Sequence, residues 1–476
     1  MRESGDMWDG GEGEGRGEDA GAGSGHAGRA EAEVNGRVAG PGVGRRAAAG
    51  AFLAGVPAIA AAGCARFPKL PPAGAGVPIE ADPLFREAMA SAPVLPGNEV
   101  TPLFGGLQAF TGLFRGIEGA RDHVNLEFYI LQDVRVPGTE GPSLFALLRE
   151  KLRRGVAVNV IYDSFGSKDT PAEAFDALRA AGANLLSFNP VNPLEARGGW
   201  RPNRRDHRKI AVADGRVAMT GGINLDHVYE NACRRAAAGA PVESTVDACW
   251  ADVAIRVEGP AVAALQRLFF ETWAKQGGGP LPARDWFPPP TGSGRTRMRV
   301  LGSAPGERRP RFYAARMAAI AGAHRRVWLC SGYFVPTERE LAELARAARR
   351  GVDVRLLLAG VTDAPLVLAA QRASYGPLLE AGVRILEVRN SVLHAKLGVV
   401  DDAWSWVGSS NLDRRSVAWN NEVDAVVLGT EAAAALGASM ARVMAYAVPV
   451  TLDRWRGRGL GQRLRELLAW PVADLL

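Results

Sequence analysis

Two stretches of this sequence carry the same reactive side chains at the same spacing. The first is His207-Arg208-Lys209, then Asp214, Gly221-Gly222 and Asn224. The second is His394-Ala395-Lys396, then Asp401, Gly408-Ser409 and Asn411. Counted from each His, the Lys is two, the Asp seven, the Gly fourteen and the Asn seventeen positions on. His and Lys two apart on a strand point to the same face. Gly222 and Ser409 let the backbone approach a ligand closely, and Asn224 and Asn411 each bring an amide. Each copy therefore offers one imidazole, one ammonium and one amide to a single phosphate. A lone His-x-Lys would be a weak signal. Two copies with matching surroundings are a strong one.

An acid stands before an apolar run in both halves: Asp252 ahead of Val253–Gly259, and Glu422 ahead of Val423–Gly429. Such a carboxylate can accept the Nδ1 proton of a histidine and leave Nε2 free to attack. Asp214 and Asp401 lie at odd parity from the lysines and sit in a turn, which favours holding the hairpin over direct chemistry. Glu127 ends an apolar strand. It reads equally as a ligand for a substrate hydroxyl and as a satisfied polar residue at a strand end. His123, His227 and His324 lack this context and read as structural or surface residues. Trp404 and Trp406 flank the second turn and read as packing residues.

The elements that position these residues repeat. Arg153-Arg154-Gly155-Val156 opens an apolar run to Asp163, and Arg349-Arg350-Gly351-Val352 opens another to Ala359. Each follows a helix-like segment (144–152 and 341–348) and leads to a second helix ending in Ala-Gly, then to a short apolar run. Alternating strands and helices indicate an α/β fold in two similar domains. The expected division is a first domain at 95–276, a Pro- and Gly-rich junction at 277–294, a second domain at 295–450 and an amphipathic helical tail at 451–476. A longer stretch between Asn224 and Asp252 reads as a loop insertion.

Charge and composition set the context. Apolar residues make up 47% and the net charge is +6. Residues 1–63 hold six Arg against nine acids, so the remainder is more basic than the whole. A basic body suits an anionic partner, lipid head groups or nucleic acid. The basic loop from Arg197 to Arg205, with Trp200, could meet anionic head groups or simply be solvated. Residues 1–42 have too few large apolar residues for a core and read as a disordered or mis-assigned extension. Arg45-Arg46, an uncharged run to Gly63 and then Cys64 read as a signal peptide or lipoprotein-like anchor at 43–64. Cys64, Cys233, Cys249 and Cys330 include no Cys-x-x-Cys pair, which argues against zinc. The last three read as buried free thiols, with a Cys233–Cys249 disulfide as the alternative for an exported chain.

The doubled His-x-Lys-x4-Asp resembles the HKD motif of the phospholipase D superfamily. Asn203-Arg204-Arg205-Asp206-His207-Arg208-Lys209, Trp250-Ala251-Asp252, Gly259-Pro260-Ala261-Val262 and Asp413, Arg415-Ser416, Asn420 and Glu422 are similar to the bacterial cardiolipin synthases. The resemblance covers roughly 95–450. It implies two phospholipase D-type domains, each a mixed β-sheet flanked by helices, related by a pseudo-twofold with one active site at the interface. It also implies a phosphatidyltransferase that uses no cofactor or metal and makes cardiolipin from phosphatidylglycerol through a phosphohistidine. His207 would be the nucleophile, oriented by Asp252. His394, oriented by Glu422, would be the acid and base. Lys209, Lys396, Asn224 and Asn411 would stabilise the phosphoryl oxygens, and the motif counts Asp214 and Asp401 with the catalytic set. Phosphatidylethanolamine is an alternative donor. Alternative activities are hydrolysis to phosphatidic acid and, with less support, a nuclease; no nucleic-acid partner is expected. The expected place is the outer face of the cytoplasmic membrane.

Overall fold

The computed structural model describes residue 70 and residues 74–195, 200–230, 248–292, 294–307 and 310–469. The readings for 1–42 and 43–64, residues 231–247 of the stretch between Asn224 and Asp252, Arg197, Cys64 and Cys233 lie outside the described residues.

The first half runs β1 (Leu95–Phe104), a helix (Gly105–Gly119), β2 (His123–Phe128), a helix (Leu144–Arg153), β3 (Ala157–Asp163), a helix (Ala172–Ala180) and β4 (Asn184–Phe188). It continues with β5 (Arg205–Asp206), β6 (Lys209–Ala213), β7 (Val217–Gly221), β8 (Trp250–Ala251), β9 (Val253–Glu258) and a helix (Ala261–Lys275). The second half runs β10 (Thr296–Ser303), a helix (Arg311–Gly322), β11 (Arg326–Ser331), β12 (Phe334–Val335), a helix (Glu338–Arg349) and β13 (Asp353–Ala359). Helices Pro365–Ala373 and Tyr375–Glu380 lead to β14 (Arg384–Val388), β15 (Val392–Leu393), β16 (Leu397–Val400), β17 (Trp404–Gly408), β18 (Leu412–Asp413), β19 (Asn420–Leu428) and a helix (Thr430–Met444). β20 (Val448–Val450) and helices Leu452–Arg456 and Leu460–Ala469 close the chain's described part.

The strand order repeats. It is β1-β9-β7-β6-β2-β3-β4 in one half and β10-β19-β17-β16-β11-β13-β14 in the other, where β20 adds an edge. β2, β3 and β4 are parallel, as are β11, β13 and β14. Helical crossovers explain this, because parallel neighbours need a long connection. β1 and β10 pair antiparallel at Leu95↔Met298 and Asn98↔Thr296, which joins the halves.

Strands buried on both faces read as continuous apolar runs, and these do. One face of each sheet packs on the other sheet: Ile210, Val212, Val253 and Ile255 meet Leu397, Val399, Val407 and Val423. The outer faces are covered by helices, with Phe110, Leu113 and Leu148 on one side and Phe312, Met317 and Leu344 on the other. Helix Glu338–Arg349 begins with a capping box of Thr337 and Glu340. Trp404 and Trp406 are buried against each other, as packing residues.

Both motif hairpins turn through left-handed residues. Asp214 and Gly215 have φ of 52° and 63°, and Asp401 and Asp402 have 49° and 58°. Positive φ at both central positions suits a tight hairpin between right-twisted strands. Cys330 is a buried free thiol, as expected. Cys249 is disulfide-bonded, which corrects its reading as a free thiol.

Candidate active site

Each His-x-Lys segment leaves its own sheet and pairs with a strand of the other half. β5 runs parallel to β19, with Asp206 opposite Asn421, and the His207 N–H donates to the Asn421 carbonyl at 2.9 Å. β15 runs parallel to β8, with Leu393 opposite Ala251, and the His394 N–H donates to the Ala251 carbonyl at 2.8 Å. The residue after Asn421 is Glu422, and the residue after Ala251 is Asp252. The backbone pairing therefore sets each histidine beside the acid of the opposite half.

The side chains follow. His207 Nδ1 lies 3.0 and 3.2 Å from the Glu422 carboxylate oxygens. His394 Nδ1 lies 2.7 Å from Asp252 Oδ2. This overturns the expected pairing of His207 with Asp252 and of His394 with Glu422. Proximity in sequence order suggested partners within a half; the inter-half strand ladders decide otherwise. All four groups are buried.

The acids are themselves held. Ser409 Oγ and Asn420 Nδ2 donate to Glu422. The Tyr229 hydroxyl donates to Asp252 Oδ2 at 2.8 Å and sits 3.0 Å from His394 Nδ1. Arg208 donates from Nε to the Glu422 carbonyl at 3.1 Å and so braces the neighbouring strand. Asp163, at the end of β3, accepts from the Asp206 N–H at 2.9 Å and fixes β5. Tyr129 and Tyr333 pack edge-on against His207 and His394, with ring centroids 5.3 and 5.8 Å away. Tyr229, Arg208, Asp163, Tyr129 and Tyr333 were not singled out as site residues from the sequence. The one available signal was a tyrosine just past the same strand in both halves, in Glu127-Phe128-Tyr129 and Ser331-Gly332-Tyr333.

Electrostatics follow from burial. It lowers His207 to about 4, against the raising effect of Glu422. It lowers Lys209 to about 7, with Lys396 adding to the effect and Glu422 opposing it. His394 and Lys396 are lowered for the same first reason. Burial raises Asp252 and Glu422 too, but His394 with Lys396 and Tyr229 in the one case, and His207 with Lys209 and Ser409 in the other, together outweigh it and move both acids down. Two neutral imidazoles thus sit between ionised acids and two lysines. The lysine ammonium groups fold back on the motif, Lys209 donating to the His207 carbonyl at 2.7 Å and Lys396 to that of His394.

Other expected site residues take different places. Gly222 is small for the sake of Asp252: a Cβ there would lie 2.1 Å from Asp252 Oδ1. Ser409 serves Glu422 rather than facing a ligand. Asn224 Oδ1 accepts from the Ile130 N–H at 3.4 Å. Asn411 is buried, and its Oδ1 finds no partner among the described residues. Asp214 and Asp401 sit in the hairpin turns. Asp214 accepts the N–H groups of Arg121, Asp122 and His123, and Asp401 those of His324, Arg325 and Arg326. Of its two readings, Glu127 takes the structural one and not that of a substrate ligand. It points to helix Ala261–Lys275, accepts from Thr272 at 2.7 Å and lies 3.7 Å from Arg208, because it is one residue out of step with the site face.

A duplicated constellation of this kind has relatives. The family model described as "Cardiolipin synthase, PLD-like domain" matches twice, at residues 113–234 and 317–444. The chain belongs to this phospholipase D-like family. It is 31% identical over 399 residues to a cardiolipin synthase of Geobacillus kaustophilus, covering 83% of this chain and 76% of the relative. It is 33% identical over 387 residues to cardiolipin synthase A of Pseudomonas putida, covering 79% and 75%. Among solved structures, phosphatidylserine synthase of Haemophilus influenzae superposes with a TM-score of 0.58 at 13% identity, over 82% of this chain and 97% of that one. That likeness shows the fold. The two family matches contain His207 and His394 respectively, so each phospholipase D-like repeat supplies one histidine to one site.

Proposed function

We propose that the protein transfers a phosphatidyl group from phosphatidylglycerol to a second phosphatidylglycerol, giving cardiolipin and glycerol. The observation that carries this reading is the pair of crossed histidine–acid contacts in one buried cluster with two lysines. Its family membership supports the lipid substrate.

The depressed pKa keeps His207 neutral, as attack requires, and Glu422 holds its Nδ1 proton. His207 Nε2 attacks phosphorus and the P–O bond to glycerol breaks. The His394 imidazolium gives its proton to the leaving oxygen. Burial opposes that protonated form, and a phosphodiester anion bound beside it favours it. The acceptor's hydroxyl then gives its proton to His394 and attacks phosphorus, the P–N bond breaks, and His207 is free again. Lys209 and Lys396 stabilise charge on the phosphoryl oxygens, with the Asn411 amide assisting. Phosphatidylethanolamine as donor and water as acceptor would use the same steps.

No helix among the described residues is long and apolar enough to cross a membrane. The reading places the enzyme at a membrane surface, where its lipids are. The test is mass spectrometry of lipids after incubating the protein with phosphatidylglycerol vesicles. Cardiolipin with free glycerol, absent in His207→Ala, is expected. Phosphatidic acid alone would make it a hydrolase.

A further inference from the structure

A second basic feature lies in the second half, outside the catalytic cluster. It is a cavity of about 460 Å³ where β14 meets β20 and helix Leu452–Arg456, lined by Arg372, Arg389, Arg454, Arg458, Trp455 and Glu387 among others. Glu387 is the one carboxylate in the lining. It is already bound by Arg372 at 2.8 and 2.9 Å and by Arg389 at 2.7 and 3.1 Å. Arg458 lies over the Trp455 ring, 3.7 Å from its centroid, and bonds Glu466 outside the cavity at 2.9 Å. Four guanidinium groups set against Glu387 and Glu466 still leave a positive excess suited to a phosphate.

The neighbouring surface is apolar. Gln462, from helix Leu460–Ala469, forms part of the cavity wall. That helix buries Glu466 and Ala469 and exposes Leu460 (83%), Leu464 (56%), Leu467 (68%) and Leu468 (66%). Arg463 and Arg465 are exposed between those leucines. A helix with leucines and arginines facing water is the pattern of one that lies in the head-group region of an anionic bilayer. A free phosphate would account for the cavity but not for the leucines.

A short chain of contacts links the cavity wall to the active site. Gly360 and Val361 form another wall of the cavity. Two residues on, Asp363 accepts the Tyr333 hydroxyl at 2.8 Å, and the Tyr333 ring packs on His394. Leu366 is exposed in the first turn of helix Pro365–Ala373, which packs against Leu460–Ala469.

We propose that the arginine cavity and the leucine face of helix Leu460–Ala469 together dock the protein on an anionic phospholipid surface. One head group sits in the cavity while the leucines enter the acyl boundary. The docked face presents the site mouth to the lipids it consumes. Binding is read without turnover, so this inference and the proposed reaction fail separately.

The experiment is flotation of the full chain with vesicles of phosphatidylcholine, with and without phosphatidylglycerol. Arg454→Glu and the double variant Leu464→Ser/Leu467→Ser are compared with wild type. Turnover of a monomeric short-chain phosphatidylglycerol is measured in parallel, as a check on fold and site. Each variant should lose about tenfold or more in binding to phosphatidylglycerol vesicles, since one basic residue near such a surface is worth about fivefold and charge reversal more. Turnover of the monomeric lipid should stay close to wild type. Unchanged vesicle binding in both variants would overturn the proposal. So would displacement of the protein from vesicles by inorganic phosphate alone, which would mark a free-anion site. An equal loss of monomer turnover would show that these residues serve the catalytic site or the fold instead.

Discussion

Glu422 and His207 lie on different halves of the chain, yet the Glu422 carboxylate is 3.0 Å from His207 Nδ1. The mirror contact, Asp252 to His394, is 2.7 Å. Each histidine thus takes its proton partner from the other repeat, and neither repeat holds a complete pair. This makes the inter-half strand pairings β5–β19 and β8–β15 part of the active site.

Crossed pairing predicts crossed coupling. In a double-mutant cycle on kcat/KM, Glu422→Gln and His207→Gln should be strongly non-additive, because the acid acts through that histidine. Glu422→Gln with His394→Gln should come nearer to additivity. Each single variant should lose about 100-fold to 10,000-fold in rate, the range for removing an acid–base group or its partner. Strong coupling of Glu422 to His394 and weak coupling to His207 would contradict the geometry.

Gly222→Ala puts a methyl where Asp252 Oδ1 now lies, 2.1 Å from the new Cβ. The carboxylate must move off His394. Stability should fall by about 1–3 kcal/mol, as for overpacking. The rate should fall further than that loss explains. Denaturant titration beside steady-state kinetics checks both.

Asp214→Ala and Asp401→Ala should separate stability from chemistry. Each removes an acceptor of three backbone N–H groups at a partly exposed turn. The expected cost is about 1–2 kcal/mol by analogy with helix caps. In the folded protein kcat/KM should stay close to wild type. A loss as large as that of a histidine variant would return these residues to the chemistry.

The reach of sequence reasoning ended where the two halves meet. The repeat, the strands around Ala157–Asp163 and Asp353–Ala359, and the tight turns were legible, because apolar runs and helix stops are local signals. Identical offsets from His207 and His394 marked the motifs for the same reason. The crossed acids were not legible: Asp252 precedes β9 and Glu422 lies in β19, and nothing local tells which half's histidine each will meet. Tyr229 and Arg208 were missed because their roles exist only through those contacts. Glu127 at a strand end could be read as a substrate ligand or as a structural polar residue, and only strand parity, which turns it to Thr272, decides for the second. The free-thiol reading of Cys249 failed because pairing is a matter of spatial approach, not composition.

Burial of Lys209 has a cost in stability that depends on pH. Its folded pKa, lowered to about 7, lies below the ordinary lysine value of 10.5. The unfolded chain therefore keeps a proton that the folded chain gives up between those values. The penalty is complete below about pH 7 and fades as pH rises towards 10.5. Lys209→Met should be inactive yet more stable than wild type. The gain should be larger at about pH 6 than at about pH 9. Denaturation midpoints at the two values check this, and an equal gain at both would contradict it.

The most direct measurement is intact-protein mass spectrometry after mixing with a phosphatidyl ester of a nitrophenol, whose leaving group needs no general acid. His394→Ala and Asp252→Asn should still form the covalent adduct, release a burst of nitrophenol and then stall, with the added mass mapping to His207. His207→Ala should form none, and Glu422→Gln far less. An adduct on His394, or one that needs Asp252 and not Glu422, would contradict the crossed site.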